Sequence, residues 1–268
     1  MTAPGDLFHA GKLGEAIEAA AEAVRSAPSD LSARWLLAEL LIVSGQHDRA
    51  DQQLDTIMSL EAAAAAAVVP VRHLLRAATM RQDFYAGKGL PEFLDDGPSA
   101  SLRLLLEATV VLRDGDEAKA GELVAQAERL RPAMAGTCGD RDFKDFRDLD
   151  DLTAGAFEVL TKTGKYYWIA VERVERLEFS PPQRPLDLIW RPVEMAVPGA
   201  FEAEVFMPAI YGTLEAADEA ARLGRRTDWL GNEPAPVRGV GQRVFAIDGE
   251  DEVGMLELTE LRFANPSV

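Results

Sequence analysis

The chain has 268 residues, 45 acidic and 28 basic, with a net charge of −17 and a pI near 4.6. Acidity this strong excludes the basic patch that nucleic-acid binding requires and argues against docking on anionic membranes. Length and a hydrophobic content of 47% predict about two globular domains, and the one cysteine, Cys138, excludes an intrachain disulfide and points to a reducing, cytoplasmic setting.

The opening MTAPGDLFHAGKLGEA lacks a basic stretch followed by an apolar one, so no signal peptide is expected. The longest apolar run, Ala62 to Val69, is too short to span a bilayer. Residues 1–138 hold 28 of the 42 alanines, whereas three of the four Trp and three of the four Tyr follow residue 139. Alanine favours helix and aromatic residues favour strand. The expected class is therefore α+β: a helical domain over 1–135, a linker over 136–152 and a β-rich domain over 153–268.

The helical half repeats with a period of 34. Leu7, Gly11, Ala16 and Ala20 recur as Leu41, Gly45, Ala50 and Leu54, then as Val111, Gly115, Ala120 and Val124. Pro28 and Pro132 close the first and third copies. Small residues at helix crossings, a glycine turn and a closing proline are the tetratricopeptide pattern. Leu13, Ile17, Ala20, Ala21 and Val24 form one helical face, and Ala50, Leu54, Ile57 and Met58 another. Ser29 or Asp30 caps a helix running to about Val43 that is apolar nearly all round and therefore central. Residues 61–97 occupy the place of an intermediate repeat but match it poorly. They hold a helix through the alanine run, Pro70 near its start and a turn at Gly87–Gly89.

In 136–152, Asp140, Asp142, Asp145, Asp148, Asp150 and Asp151 are interrupted by Phe143, Lys144, Phe146 and Arg147, with no turn glycine. This is not a calcium loop. Phe143, Phe146 and Leu149 are expected to pack, while Arg147 and the carboxylates pair or cap. Residues 156–161 alternate, Thr163-Gly164 turns the chain, and Tyr166–Val171 completes a hairpin. Further strands are expected at Val174–Phe179, Leu186–Val197, Glu202–Met207, Arg243–Ile247 and Met255–Phe263, with a helix near Leu214–Leu223. The many prolines favour short, bent or edge strands in a small barrel-like or curled antiparallel sheet.

Catalytic motifs are not found. His9, His47 and His73 each stand alone in the helical half, no serine sits in a G-x-S-x-G elbow, and Gly239-Val240-Gly241 lacks the third glycine of a dinucleotide loop. No cofactor or metal is expected.

The runs ARWLLAELLIVSGQHDRADQQLD (33–55), FKDFRDLDD (143–151), EVLTKTGKYYWIAVERVERLEF (158–179), RPLDLIWRPVEM (184–195) and AEVFMPAIYG (203–212) together resemble the ImpE family, also called TagJ or SciE-type, of bacterial type VI secretion. The resemblance implies a non-enzymatic, cytoplasmic accessory protein. It also implies association with the N-terminal helix of the sheath small subunit and a link to the ClpV AAA+ ATPase. An apolar groove on the helical half, or the face between the halves, would take that helix. Candidate contacts are Arg34, Trp35 and Glu39 on the second repeat and Tyr166, Tyr167 and Trp168 on the β half. Two alternatives are a ligand-binding or enzymatic site joining Tyr166, Asp187 and Trp229, and a purely structural sheath or baseplate stabiliser.

Overall fold

The computed structural model describes residues 2–213, 217–249, 251–264 and 266. The first half is built from α1 (Pro4–His9), α2 (Leu13–Ser26), α3 (Leu31–Val43), α4 (His47–Leu60), α5 (Ala65–Tyr85), α6 (Ala100–Arg113) and α7 (Glu117–Leu130). The pairs α1–α2, α3–α4 and α6–α7 are the three repeat copies. Each closes its first helix in the same way. Gly11, Gly45 and Gly115 take φ of +82°, +79° and +92°, a left-handed conformation that favours glycine. The next residue then donates its N–H to the carbonyl of Leu7, Leu41 or Val111, at 2.9, 2.9 and 3.2 Å. That bond satisfies a carbonyl the helix end would otherwise leave open. Ala16, Ala50 and Ala120 are all 0% exposed, as close helix packing requires. Of the two capping candidates, Asp30 accepts from the N–H groups of Ser32 and Ala33.

Where an intermediate repeat was expected there is one long helix, α5, with Pro70 inside it. Residues 86–99 then leave the helical array. Glu92 bridges to Tyr167, its N–H donating to the Tyr166 carbonyl at 2.8 Å.

The segment 136–152 is itself structured. It supplies β1 (Gly136–Cys138), β2 (Arg141–Phe143) and β3 (Phe146–Asp148). There follow β4 (Ala156–Leu160), β5 (Tyr166–Ala170), β6 (Arg176–Phe179), β7 (Trp190–Val197), β8 (Phe201–Pro208), α8 (Glu219–Arg222), β9 (Thr227–Leu230), β10 (Arg238–Gly241), β11 (Val244–Ile247), β12 (Asp251–Gly254) and β13 (Glu260–Phe263). The main antiparallel sheet runs β2-β1-β13-β6-β7-β8-β4-β5. Its edges, β2 and β5, are not paired with each other, so the sheet is open and not a barrel. A three-stranded sheet, β12-β11-β3, and the hairpin β9–β10 complete the half.

Three expectations need adjusting. Residues 185–188 form a 3-10 turn before β7, because Pro185 starts a helical turn more readily than a strand. Only 260–263 of the last predicted strand pair. The predicted helix is observed over Glu219–Arg222, and residues 214–216 of it lie outside the described residues.

Two cores result. One fills the helical half and extends onto Ala156, Leu160, Tyr166, Trp168 and Trp190. The other fills the β half around Phe143, Phe146, Phe157, Phe245 and Phe263, whose rings contact one another. The turn 185–188 packs on α3, and Leu186, Ile189 and Trp190 are buried in the first core. This face of α3 is thus filled by the chain's own β half.

The β half also caps helices that cannot cap themselves. Lys12 precedes α2 and offers no acceptor. Glu219 on α8 supplies it, accepting from Leu13 N at 3.2 Å and Gly14 N at 2.7 Å. Arg225 donates to the carbonyls of Phe8 and His9 at the end of α1. On α7, Gly121 admits the carbonyl of Pro234, which would lie 1.9 Å from a Cβ there. In a free helix, alanine would stabilise this position. Here Gly121→Ala is expected to lower stability by about 1–3 kcal/mol in urea unfolding, because the carbonyl must be pushed away. A stabilised variant would refute the contact.

Candidate functional site

Strands β4 and β5 separate two environments by simple alternation. Ala156, Leu160, Tyr166, Trp168 and Ala170 face the helices, while Phe157, Val159 and Ile169 join the β core. Glu158 shares the helix-facing side, opposite Trp168. A carboxylate on that apolar face must find partners.

It finds them in a closed polar network. Arg81 of α5 grips both Glu158 oxygens at 2.8 Å. Tyr166 Oη donates to Glu158 at 2.5 Å, and Trp168 Nε1 donates to that hydroxyl at 2.5 Å. Arg243 bonds Glu158 through Nη2 and Asp148 through Nη1, the latter at 2.6 Å. Asp148 also accepts from Tyr211, Thr153 and the Asp150 N–H. Burial alone would push the Glu158 carboxyl up. The charges of Arg81 and Arg243, with hydrogen bonds from Arg81 and Tyr166, outweigh burial and hold it at about 2. Burial raises Asp148, against the opposing charge of Arg243. Burial and then the Asp148 charge push Asp150 up to about 7. Two arginines and two carboxylates sum to zero, and Glu158, Asp148 and Arg243 are closed to solvent. The network fastens α5 to the sheet.

The other face of the same strands is open. An apolar groove of about 650 Å³ is lined by Phe93, Val159, Tyr167, Ile169, Phe201 and Val205. Asp95, Asp96, Lys162, Arg173 and Glu204 also line it. It is assembled from the excursion after α5, the β4–β5 hairpin and the β7–β8 turn. Glu92 holds that excursion in place, pairing with Lys165 at 2.7 Å besides its bridge to β5.

The expected contact residues fall in different places. Tyr166 and Trp168 are buried in the network, and Tyr167 alone of the three lines the groove. Arg34 is tied to the Pro28 carbonyl and Gln53, each at 2.8 Å. Trp35 is half-buried and donates to Glu39, which is buried; burial raises the Glu39 carboxyl. The α3 trio therefore presents Arg34 and one edge of Trp35, well away in the chain from the groove segments. Tyr166, Asp187 and Trp229 do not form a joint site. Tyr166 belongs to the network, Asp187 is buried and caps the 183–187 turn, and Trp229 is 41% exposed beside Tyr211. The aspartates of 145–151 serve structure: Asp145 pairs with Arg131 at 2.6 Å and Asp151 with Arg147 at 2.7 Å. The network was not expected, and of the groove residues the sequence pointed to Tyr167 alone, with the groove expected on the helical half or between the halves. The available signal was Glu158 itself, a charge on the apolar side of an alternating strand.

A model of the ImpE protein family matches residues 140–262, and a tetratricopeptide-repeat model matches residues 7–68. The type VI secretion system accessory component TagJ of Pseudomonas aeruginosa is 34% identical over 259 residues, covering 96% of this chain and 90% of that protein. A crystal structure of a Vibrio parahaemolyticus protein superposes with a TM-score of 0.90 at 29% identity, covering 97% of both chains. Helical repeats, open sheet and nearly full-length similarity to TagJ agree, and the chain belongs to the ImpE family.

Proposed function

We propose that this protein is a cytoplasmic, non-enzymatic accessory component of a type VI secretion system that docks the N-terminal helix of the sheath small subunit. In this reading it helps couple the contractile sheath to the ClpV ATPase. The groove beside Tyr167 carries the proposal. Its apolar floor suits a helix that presents anchors at i, i+3, i+4 and i+7, and Tyr167 supplies an aromatic contact with a polar tip. The inner face of α3 is a poorer choice, since residues 186–190 already fill it. No helix among the described residues is long and apolar enough to cross a membrane.

The test is a pull-down with the sheath small subunit and with a form lacking its N-terminal helix. Recovery of the intact subunit alone is expected, and Ala203→Glu, on the exposed part of β8 lining the groove, should abolish it. Equal recovery of both forms removes the helix-docking claim. A purely structural sheath stabiliser would leave ATPase-driven sheath turnover unchanged when this protein is deleted, whereas an adaptor would slow it.

A further inference from the structure

Next to the groove lies a cleft holding a carboxylate that the chain does not neutralise. Glu172 sits in the 3-10 turn after β5 and is 9% exposed. Among the described residues its Oε2 is buried without a hydrogen-bond partner, and no ion pair reaches it. Such a group ordinarily has donors around it. Its side chain lines a cleft of about 350 Å³ together with Asp96, Ser99, Leu102, Arg103 and Arg173. The nearby cations are engaged elsewhere. Arg173 bonds Asp96 through Nη1, and Arg103 donates to the Pro98 carbonyl at 3.0 Å.

The cleft and the groove share Phe93, Leu94, Asp96, Ile169 and Arg173, so they form one continuous surface. The α6 N-terminus is also present, but an anion entering there would meet Glu172 and Asp96. A cation meets a charge without a partner. The Nε of Arg173 is likewise buried without a hydrogen-bond partner among the described residues.

We propose that this cleft receives a lysine or arginine side chain from a protein partner whose apolar helix face occupies the adjoining groove. The proposal rests on the docking role given to the groove, and it specifies the partner's chemistry: an amphipathic segment with a basic residue flanking its apolar stripe. The partner's charge then complements a chain of net charge −17.

A displayed library of randomised helical peptides, selected on the full chain, tests this. Binders that Ala203→Glu abolishes are groove binders. They are expected to be enriched in Lys or Arg beside the apolar stripe. A selected peptide should bind Glu172→Gln about tenfold more weakly, the order expected for one charge-assisted contact. Glu172→Gln keeps the side-chain shape and removes a buried unpaired charge, so folding should be preserved and is checked by its thermal midpoint. Groove binders without basic enrichment, or basic peptides that bind Glu172→Gln equally well, overturn the cleft assignment and leave the docking groove standing. A selection that yields no Ala203-dependent binder overturns both.

Discussion

Arg243→Met is expected to cost the fold about 3–5 kcal/mol, read as a lower urea midpoint at an unchanged slope. Arg243 is 1% exposed and bridges two carboxylates that are themselves buried. Methionine fills much of the volume but leaves Asp148 without a counter-charge. Glu158 would keep Arg81 and Tyr166, so the damage should centre on Asp148. A second replacement tests this. Adding Asp148→Asn to Arg243→Met removes the stranded charge and should recover part of the loss, giving a coupling of roughly 1–3 kcal/mol in a double-mutant cycle. Buried ion pairs are often no better than apolar packing, and only the removal of one partner is reliably costly. A loss below about 1 kcal/mol for the single variant would mean that water or a rearrangement already satisfies Asp148.

The contrast between helices and network explains what the sequence could reveal. The glycine turns were legible because the Leu7–Gly11–Lys12 closure is local and recurs at Leu41 and Val111 with the same spacing. Parity in the hairpin puts Tyr167 on the face opposite Tyr166 and Trp168, although all three were expected as contacts together. Strands β1 to β3 were not legible. They are three residues each; β2 and β3 are rich in charge, β2 pairs only with β1, and β1 and β3 take their other partners more than a hundred residues away, Gly136 opposite Phe263 and Phe146 opposite Ile247. No local preference encodes such pairing. The groove has the same origin. Its walls come from 93–96, 159–173 and 199–205, brought together only when Glu92 joins the β5 edge. Nothing local in the sequence marks Arg81, Glu158 and Arg243 as partners, and only the junction of α5 with the sheet makes them core.

Between pH 4 and 6.5 two buried groups, Asp150 and His47, should pull the stability of the wild-type protein in opposite directions. Asp150 titrates at about 7 in the fold, raised from 3.8 by burial and by Asp148. Across this window the folded form keeps a proton that the unfolded form has released, so rising pH destabilises the fold. His47 titrates at about 4, lowered from 6.5 by burial. Thr79 Oγ1 already donates to the Leu75 carbonyl, so it accepts from His47 Nδ1 at 3.1 Å, and the Gln82 amide donates to Nε2 at 3.4 Å, which a neutral ring alone allows. Here the unfolded form holds the extra proton, so rising pH stabilises the fold. Each contributes about 1.4 kcal/mol per pH unit with opposite sign. Asp150→Asn should therefore uncover a stability that rises by about 3 kcal/mol from pH 4 to 6.5, and His47→Gln one that falls by a similar amount. Below this window Glu158, held at about 2, adds a loss as pH falls from about 4 toward 2, which Glu158→Gln would remove. Urea midpoints measured across the range for all three variants decide the matter. If the Asp150 and His47 variants run parallel to the wild type, neither group is buried in the protonation state that the fold imposes.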